Sequence, residues 1–329
     1  MANSAGDSRA RRYPKTSIQD AWTKAEHHET WVIDGIISSD STLLVGEAKV
    51  GKSFLASALV AALTTGGDFL GRPVPQDREF SVAICWTDDG GDVEYGERIR
   101  TVLPDEMVPK VDLYGLSTME SRDDWRKLFE EVMEDGHNFV IIDNLSQCVD
   151  GSVNNDADVR RFYEGVRQFT RAGIPVVIIA HSTDKAGPNG YKPEKPMGSS
   201  YITQAVRWRC FVRRSRKDNL ILKFIGNHAS PHEITVKHGA GARFEVLAAA
   251  ESTEITQKRD KERLDRNALM AQWVVENCQG IGVNQAGRML AEKFGGAEST
   301  QQKALKAGGS LAALLSRFGE GPQTVWSLS

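Results

Sequence analysis

Ser41-Thr-Leu-Leu-Val-Gly46-Glu-Ala-Lys-Val-Gly51-Lys52-Ser53-Phe54 is the stretch that decides how this chain folds. Residues 42–45 have strand character, and residues 54–63 form a helix-prone run. Between them Gly46, Glu47, Ala48, Lys49, Val50, Gly51, Lys52 and Ser53 fit the phosphate-loop spacing G-x-x-x-x-G-K-[ST] at every fixed position. Glycines at both ends let the backbone curl until successive N–H groups point inward at phosphate oxygens. The helix that opens at Ser53 and Phe54 adds its positive N-terminal dipole. In such a loop Lys52 reaches the β- and γ-phosphates, and the Ser53 hydroxyl ligates Mg²⁺. The sequence therefore predicts a nucleotide site with ATP and Mg²⁺ as its ligands.

Working outward, continuous apolar runs recur. Phe80-Ser-Val-Ala-Ile-Cys-Trp86 ends in Thr87-Asp88-Asp89-Gly90-Gly91, Asn138-Phe-Val-Ile-Ile-Asp143 ends in an aspartate, and Ile174-Pro-Val-Val-Ile-Ile-Ala-His181 ends in a histidine. Helical periodicity over 93–101 and 122–135 separates the first two, the second helix opening on Ser121 as N-cap. Continuous apolar strands alternating with helices imply a mostly parallel α/β sheet covered on both faces. In such sheets ligands bind at the carboxyl ends of the strands, where Asp88, Asp89, Asp143 and His181 all fall. Trp31-Val-Ile-Asp-Gly-Ile-Ile37 reads as a lead-in strand and turn. Turns near 217–219, 229–231 and 239–241 divide 220–225, 233–237 and 243–247 into an antiparallel meander at the sheet's edge.

These four strand ends together resemble the RecA-like P-loop ATPases, and most closely the RepA-type and DnaB-type hexameric helicases, over residues 30–247. The resemblance implies roles for particular residues. Thr87-Asp88-Asp89 stands where the family carries the carboxylate that activates water, with Asp88 the better match; the family's residue there is commonly glutamate. Asp143 matches the aspartate that holds Mg²⁺ through water, and His181 the terminal residue that senses the γ-phosphate. Gly198-Ser-Ser-Tyr-Ile-Thr-Gln-Ala-Val-Arg207-Trp208 resembles the RepA-type segment whose arginine reaches the next subunit's γ-phosphate, with Lys223 as assistant. Loops facing a ring's pore carry the DNA contacts in this family, and 150–156 and 184–197 are the candidates, the second holding Lys185, Lys192 and Lys195. The implied activity is ATP hydrolysis driving a hexameric ring along DNA, single-stranded DNA being the expected partner, in replication or recombination. A RecA-like DNA-dependent ATPase without unwinding, acting as a recombinase, loader or regulator, shares every motif. A metabolite kinase shares the loop but lacks the strand-end histidine and the arginine supplied in trans.

Bulk properties set the remaining expectations. A chain of 329 residues, 40% hydrophobic and 26% charged, has room for one large domain and a small one. A net charge of −3 means that nucleic acid must be met by local basic patches rather than by the overall field. The four cysteines are widely spaced, which suits a reducing cytoplasm and neither a zinc site nor a disulfide framework. No apolar run reaches membrane-spanning length, so no membrane partner is expected. The expected division is a flexible tail and short helix over 1–30, with Ser17 as N-cap, the ATPase domain over 31–247 and a charged linker over 248–265. The remainder, 266–329, reads as helices over 267–277, 285–294 and 300–318 and a final strand over 322–328. That pattern resembles a winged helix, used for DNA binding, with a protein-interaction module as the equal alternative.

Overall fold

The computed structural model describes residues 15–183, 194–215, 217–306, 308–319 and 323–328. The chain divides into two compact units, Met1–Ala250 and Glu251–Ser329. The first is built on a nine-stranded sheet: β1 (Ser41–Gly46), β2 (Val82–Trp86), β3 (Val111–Gly115), β4 (Phe139–Asp143), β5 (Val176–His181), β6 (Trp208–Arg214), β7 (Leu220–Gly226), β8 (His232–His238) and β9 (Phe244–Glu251). Their order across the sheet is β9-β8-β7-β6-β1-β5-β4-β2-β3. Strands β6, β1, β5, β4, β2 and β3 pair in parallel, whereas β6–β7 and β7–β8 pair antiparallel. The sheet is thus mixed: a parallel body with a meander along one edge.

The helices of this unit are α1 (Ile18–Glu26), α2 (Lys52–Thr65), α3 (Gly91–Arg100), α4 (Arg122–Glu134), the short α5 (Leu145–Cys148), α6 (Asp156–Arg171) and the short α7 (Tyr201–Gln204). Strand alternation explains the layering. Phe139 and Ile141 of β4 pack on one face with Leu55 and Leu59 of α2 and Tyr95 and Ile99 of α3. Val140 and Ile142 pack on the other with Trp125 and Leu128 of α4 and Val159, Phe162 and Phe169 of α6. A strand buried on both faces must be apolar at every position, which is why these read as unbroken hydrophobic runs. The expected N-caps hold: the Ser17 side chain accepts from Asp20 N, and Ser121 forms a full capping box with Asp124. Strand β3 and helix α6 add to the sequence reading, and the lead-in is a two-stranded hairpin, Trp31–Ile33 with Ile37–Ser38.

The second unit corrects two expectations. Residues 252–265, read as linker, are the first half of α8 (Ser252–Asn277), and the end of β9 accounts for 248–251. Its neighbours are α9 (Val283–Phe294) and α10 (Glu298–Leu305). The helix expected over 300–318 stops at Leu305, and Leu315–Phe318 is a strand, β10, paired antiparallel with β11 (Val325–Leu328). Gly308, at φ +79, and Gly309 divide the two; a Cβ on Gly309 would stand 2.2 Å from Lys303 O. Met270, Val274, Leu290, Leu305, Leu315 and Trp326 form this unit's own core. No described helix is long and apolar enough to cross a membrane.

Candidate active site

Strand register brings the candidate residues together. Gly46 at the end of β1 pairs with His181 at the end of β5, and Asp143 at the end of β4 pairs with Trp86 at the end of β2. The chain leaving β1 must turn at once, because a Cβ on Gly46 would stand 2.7 Å from Val212 O and 2.9 Å from Val50 Cγ1. Lys49 (φ 60) and Gly51 (φ 114) then take left-handed backbone, and Gly51 caps α2 with its first-turn N–H groups left unpaired by any side chain. Glu47, Ala48 and Lys49 lie on the exposed rim of this curl, while Val50 is buried beneath it.

Lys52 is 5% exposed. Its ammonium donates to Gly46 O at 3.0 Å and Glu47 O at 2.9 Å and lies 3.4 Å from His181 Nδ1. Burial pushes its pKa down to about 8, against the opposing pull of Asp143. One residue on, the Ser53 hydroxyl donates to Asp143 Oδ2 at 2.8 Å. Phe54 packs edge-on to His238 and under the Arg98 guanidinium, 4.6 Å from its ring centroid.

Asp143 is fixed from β2 as well. Thr87 N donates to Asp143 O at 2.9 Å, the Thr87 hydroxyl donates to the same carbonyl at 3.2 Å, and Asn144 N donates to Thr87 Oγ1 at 3.1 Å. The Asn144 side chain, 3% exposed, points its amide at Asp88 Oδ1, 3.4 Å away. The Asp89 carboxylate accepts no side-chain hydrogen bond among the described residues, so of the adjacent pair only Asp88 is aimed by a neighbour. Asn144 and Tyr95, whose hydroxyl donates to Asp143 Oδ2 at 2.7 Å, are site residues that sequence reading missed. Asn144 was within reach, being next to Asp143 in the quoted strand. Tyr95 carries no motif and is placed only by how α3 packs.

Past His181 the chain folds back on itself: Ser182 bridges Pro196, Met197 N donates to His181 O at 2.8 Å, and Thr183 N to Lys195 O at 3.3 Å. Lys185 and Lys192, expected in this loop, lie outside the described residues, and Lys195 is exposed. The other candidate loop, 150–156, is tied to the returning chain by Ser199, whose N donates to Val153 O at 2.8 Å and whose hydroxyl bonds Asp156.

Arg207 is not part of this cluster. It is exposed and precedes Trp208, which pairs with Thr42 at the amino end of β1, four positions and roughly 13 Å from Gly46. There it lines a cavity of about 380 Å³ with Arg167, Tyr201, Gln204 and Asn227, and it makes no ion pair among the described residues. Lys223, expected to assist it, pairs with Phe211 toward the opposite end of the sheet, and its ammonium donates to Glu194 at 2.7 Å. The structure separates the two cations.

The donor set suits the expected ligands. The described residues hold no cluster of three or more His, Cys, Asp or Glu that could cage a metal. One hydroxyl and one carboxylate, Ser53 and Asp143, are the kind of sparse oxygen set that Mg²⁺ uses when phosphates and water complete its shell.

The family described as "AAA domain" matches residues 8–187, more than half of the chain. Among solved structures, the ATPase domain of a DnaB-like phage helicase aligns with a TM-score of 0.53 at 11% identity, covering 71% of this chain and 100% of that one. At that identity the likeness is one of fold. No curated protein matches.

Proposed function

From membership of the AAA domain family, to which this chain belongs, and from its RecA-like P-loop ATPase core, we propose an ATP-hydrolysing DNA motor of the RepA/DnaB helicase type. The observation that carries the reading is the meeting of Lys52, Ser53, Asp88, Asp143 and His181 at the carboxyl ends of four adjacent parallel strands.

Each residue has a distinct task in this reading. The amides of residues 46–54 and the Lys52 ammonium bind the triphosphate, Lys52 exchanging its two carbonyl partners for phosphate oxygens. Ser53 and Asp143 would hold Mg²⁺, which when bound neutralises charge on the phosphates. Asp88, aimed by Asn144, orients the attacking water and receives its proton. His181 lies beside Lys52 and opens the loop that returns at Lys195, so a change at the phosphate end is passed along that strand toward 184–197. Arg207 stabilises transition-state charge in the neighbouring copy of a homo-oligomer, which agrees with its distance from its own phosphate loop. DNA, single-stranded in the pore of a hexameric ring, is contacted through 150–156 and 184–197, joined at Ser199. The second unit's three helices and terminal hairpin support a winged-helix-like module.

The test is ATP turnover with and without single-stranded DNA, run beside displacement of a labelled strand from a duplex. DNA-stimulated turnover with displacement is expected. Stimulation without displacement would favour the non-unwinding ATPase, and turnover indifferent to DNA would overturn the DNA reading.

A further inference from the structure

Tyr95 lies one turn into α3 and is 2% exposed. Its ring packs in the main core with Ile99, and a phenylalanine would occupy that space equally well. What the packing does not explain is the hydroxyl. A buried hydroxyl without a partner costs on the order of 1–3 kcal/mol, so its presence calls for an acceptor. That acceptor is Asp143 Oδ2, at 2.7 Å. The same oxygen takes the Ser53 hydroxyl at 2.8 Å, while Oδ1 accepts no hydrogen bond among the described residues. Two donors on one oxygen fix the rotation of the carboxylate and leave the other oxygen uncommitted. Burial, with the negative charge of Asp143, raises the phenol's pKa well above its ordinary value, so the group remains a neutral donor across the working range.

The helix that carries Tyr95 also carries the water-activating carboxylate. Asp88 and Asp89 lie just before α3, Gly90 caps it in left-handed backbone (φ 75), and Glu94 N closes the first turn onto Gly90 O at 3.0 Å. One turn beyond Tyr95, Arg98 covers the Phe54 ring of α2. The Tyr95–Asp143 bond is therefore the tie between this helix and β4.

We propose that Tyr95 is a positioning residue that holds the Asp143 carboxylate in the rotamer suited to Mg²⁺ and sets the helix bearing Asp88 against it. The inference rests on Asp143 being the Mg²⁺-holding carboxylate. Partners that orient a metal-holding group typically contribute 10–100-fold in metal affinity.

The experiment follows equilibrium binding of a fluorescent, non-hydrolysable ATP analogue as Mg²⁺ is titrated. Wild type, Tyr95→Phe and Asp143→Asn are compared, with metal-free binding and thermal unfolding measured on each. For Tyr95→Phe, the Mg²⁺ concentration at half-effect rises 10–100-fold, while metal-free binding stays within about twofold. Asp143→Asn loses most of its Mg²⁺ response. If Asp143→Asn loses that response and Tyr95→Phe titrates like wild type, Tyr95 has no positioning role. A Tyr95→Phe chain that no longer binds metal-free analogue would assign the residue to packing and equally overturn the inference. If Asp143→Asn responds to Mg²⁺ normally, it is the reading of Asp143 that fails.

Discussion

At the residue scale, Lys52 gives the site a pH signature. In the free protein its pKa is lowered to about 8 by burial, whereas bound phosphates favour the charged form. The bound state therefore holds more protons than the free one. Nucleotide affinity should be level below about pH 8 and fall as pH rises above it, with proton uptake on binding near pH 8.5. Calorimetry in two buffers of different ionisation heat measures that uptake, and equal heats in both would contradict it. Lys52→Ala should abolish turnover and weaken binding, since the γ-phosphate loses its principal cation. The carboxylates should separate by role. Asp88→Asn should bind nucleotide nearly as wild type but turn over 10²–10⁴-fold more slowly, roughly the contribution of a general base, and Asp89→Asn should do little. A larger effect at Asp89 would move the base by one position. Motif residues such as Lys52, Ser53 and Asp143 were legible because their chemistry fixes their spacing. Tyr95 and Asn144 act through contacts made only when distant segments pack.

At the scale of elements, apolar runs ending in a chemical group located four strands of the sheet and their functional ends. The misreadings have physical reasons. Residues 252–265 lack apolar periodicity but are rich in Glu, Lys and Arg, which favour helix, so periodicity hid a helix that propensity supports. Over 300–318 the apolar pattern was followed through Gly308 and Gly309, which end the helix. Helix α6 had a readable face in Val159, Phe162, Tyr163, Val166 and Phe169, all buried, which the charges between them obscured. That helix also shows how close the packing is. A Cβ on Gly165 would stand 2.0 Å from Trp125 Cδ2, a rigid ring on α4. Gly165→Ala should therefore destabilise the first unit by about 1–3 kcal/mol despite alanine's better helix propensity. Urea unfolding measures this, and an unchanged or raised midpoint would mean the two helices are not closely packed there.

For the whole molecule, the claim is that one chain holds an incomplete ATP site. Lys52, Ser53, Asp88, Asp143 and His181 lie at one end of the sheet and Arg207 at the other, so a single subunit cannot apply Arg207 to its own phosphates. Sequence carried the identity of these residues but not this separation, which depends on strand order and direction. Turnover per subunit should accordingly rise with protein concentration as copies associate. Arg207→Ala alone should bind ATP almost normally and turn over about 10³–10⁵-fold more slowly, the usual contribution of an arginine finger. The most direct measurement is ATP turnover in a mixture of Arg207→Ala and Lys52→Ala subunits shown to exchange. Some interfaces would then pair an intact phosphate loop with an intact arginine, which neither variant has alone. The account predicts a mixture clearly more active than either component; a mixture no more active than its parts would contradict it and remove Arg207 from the site.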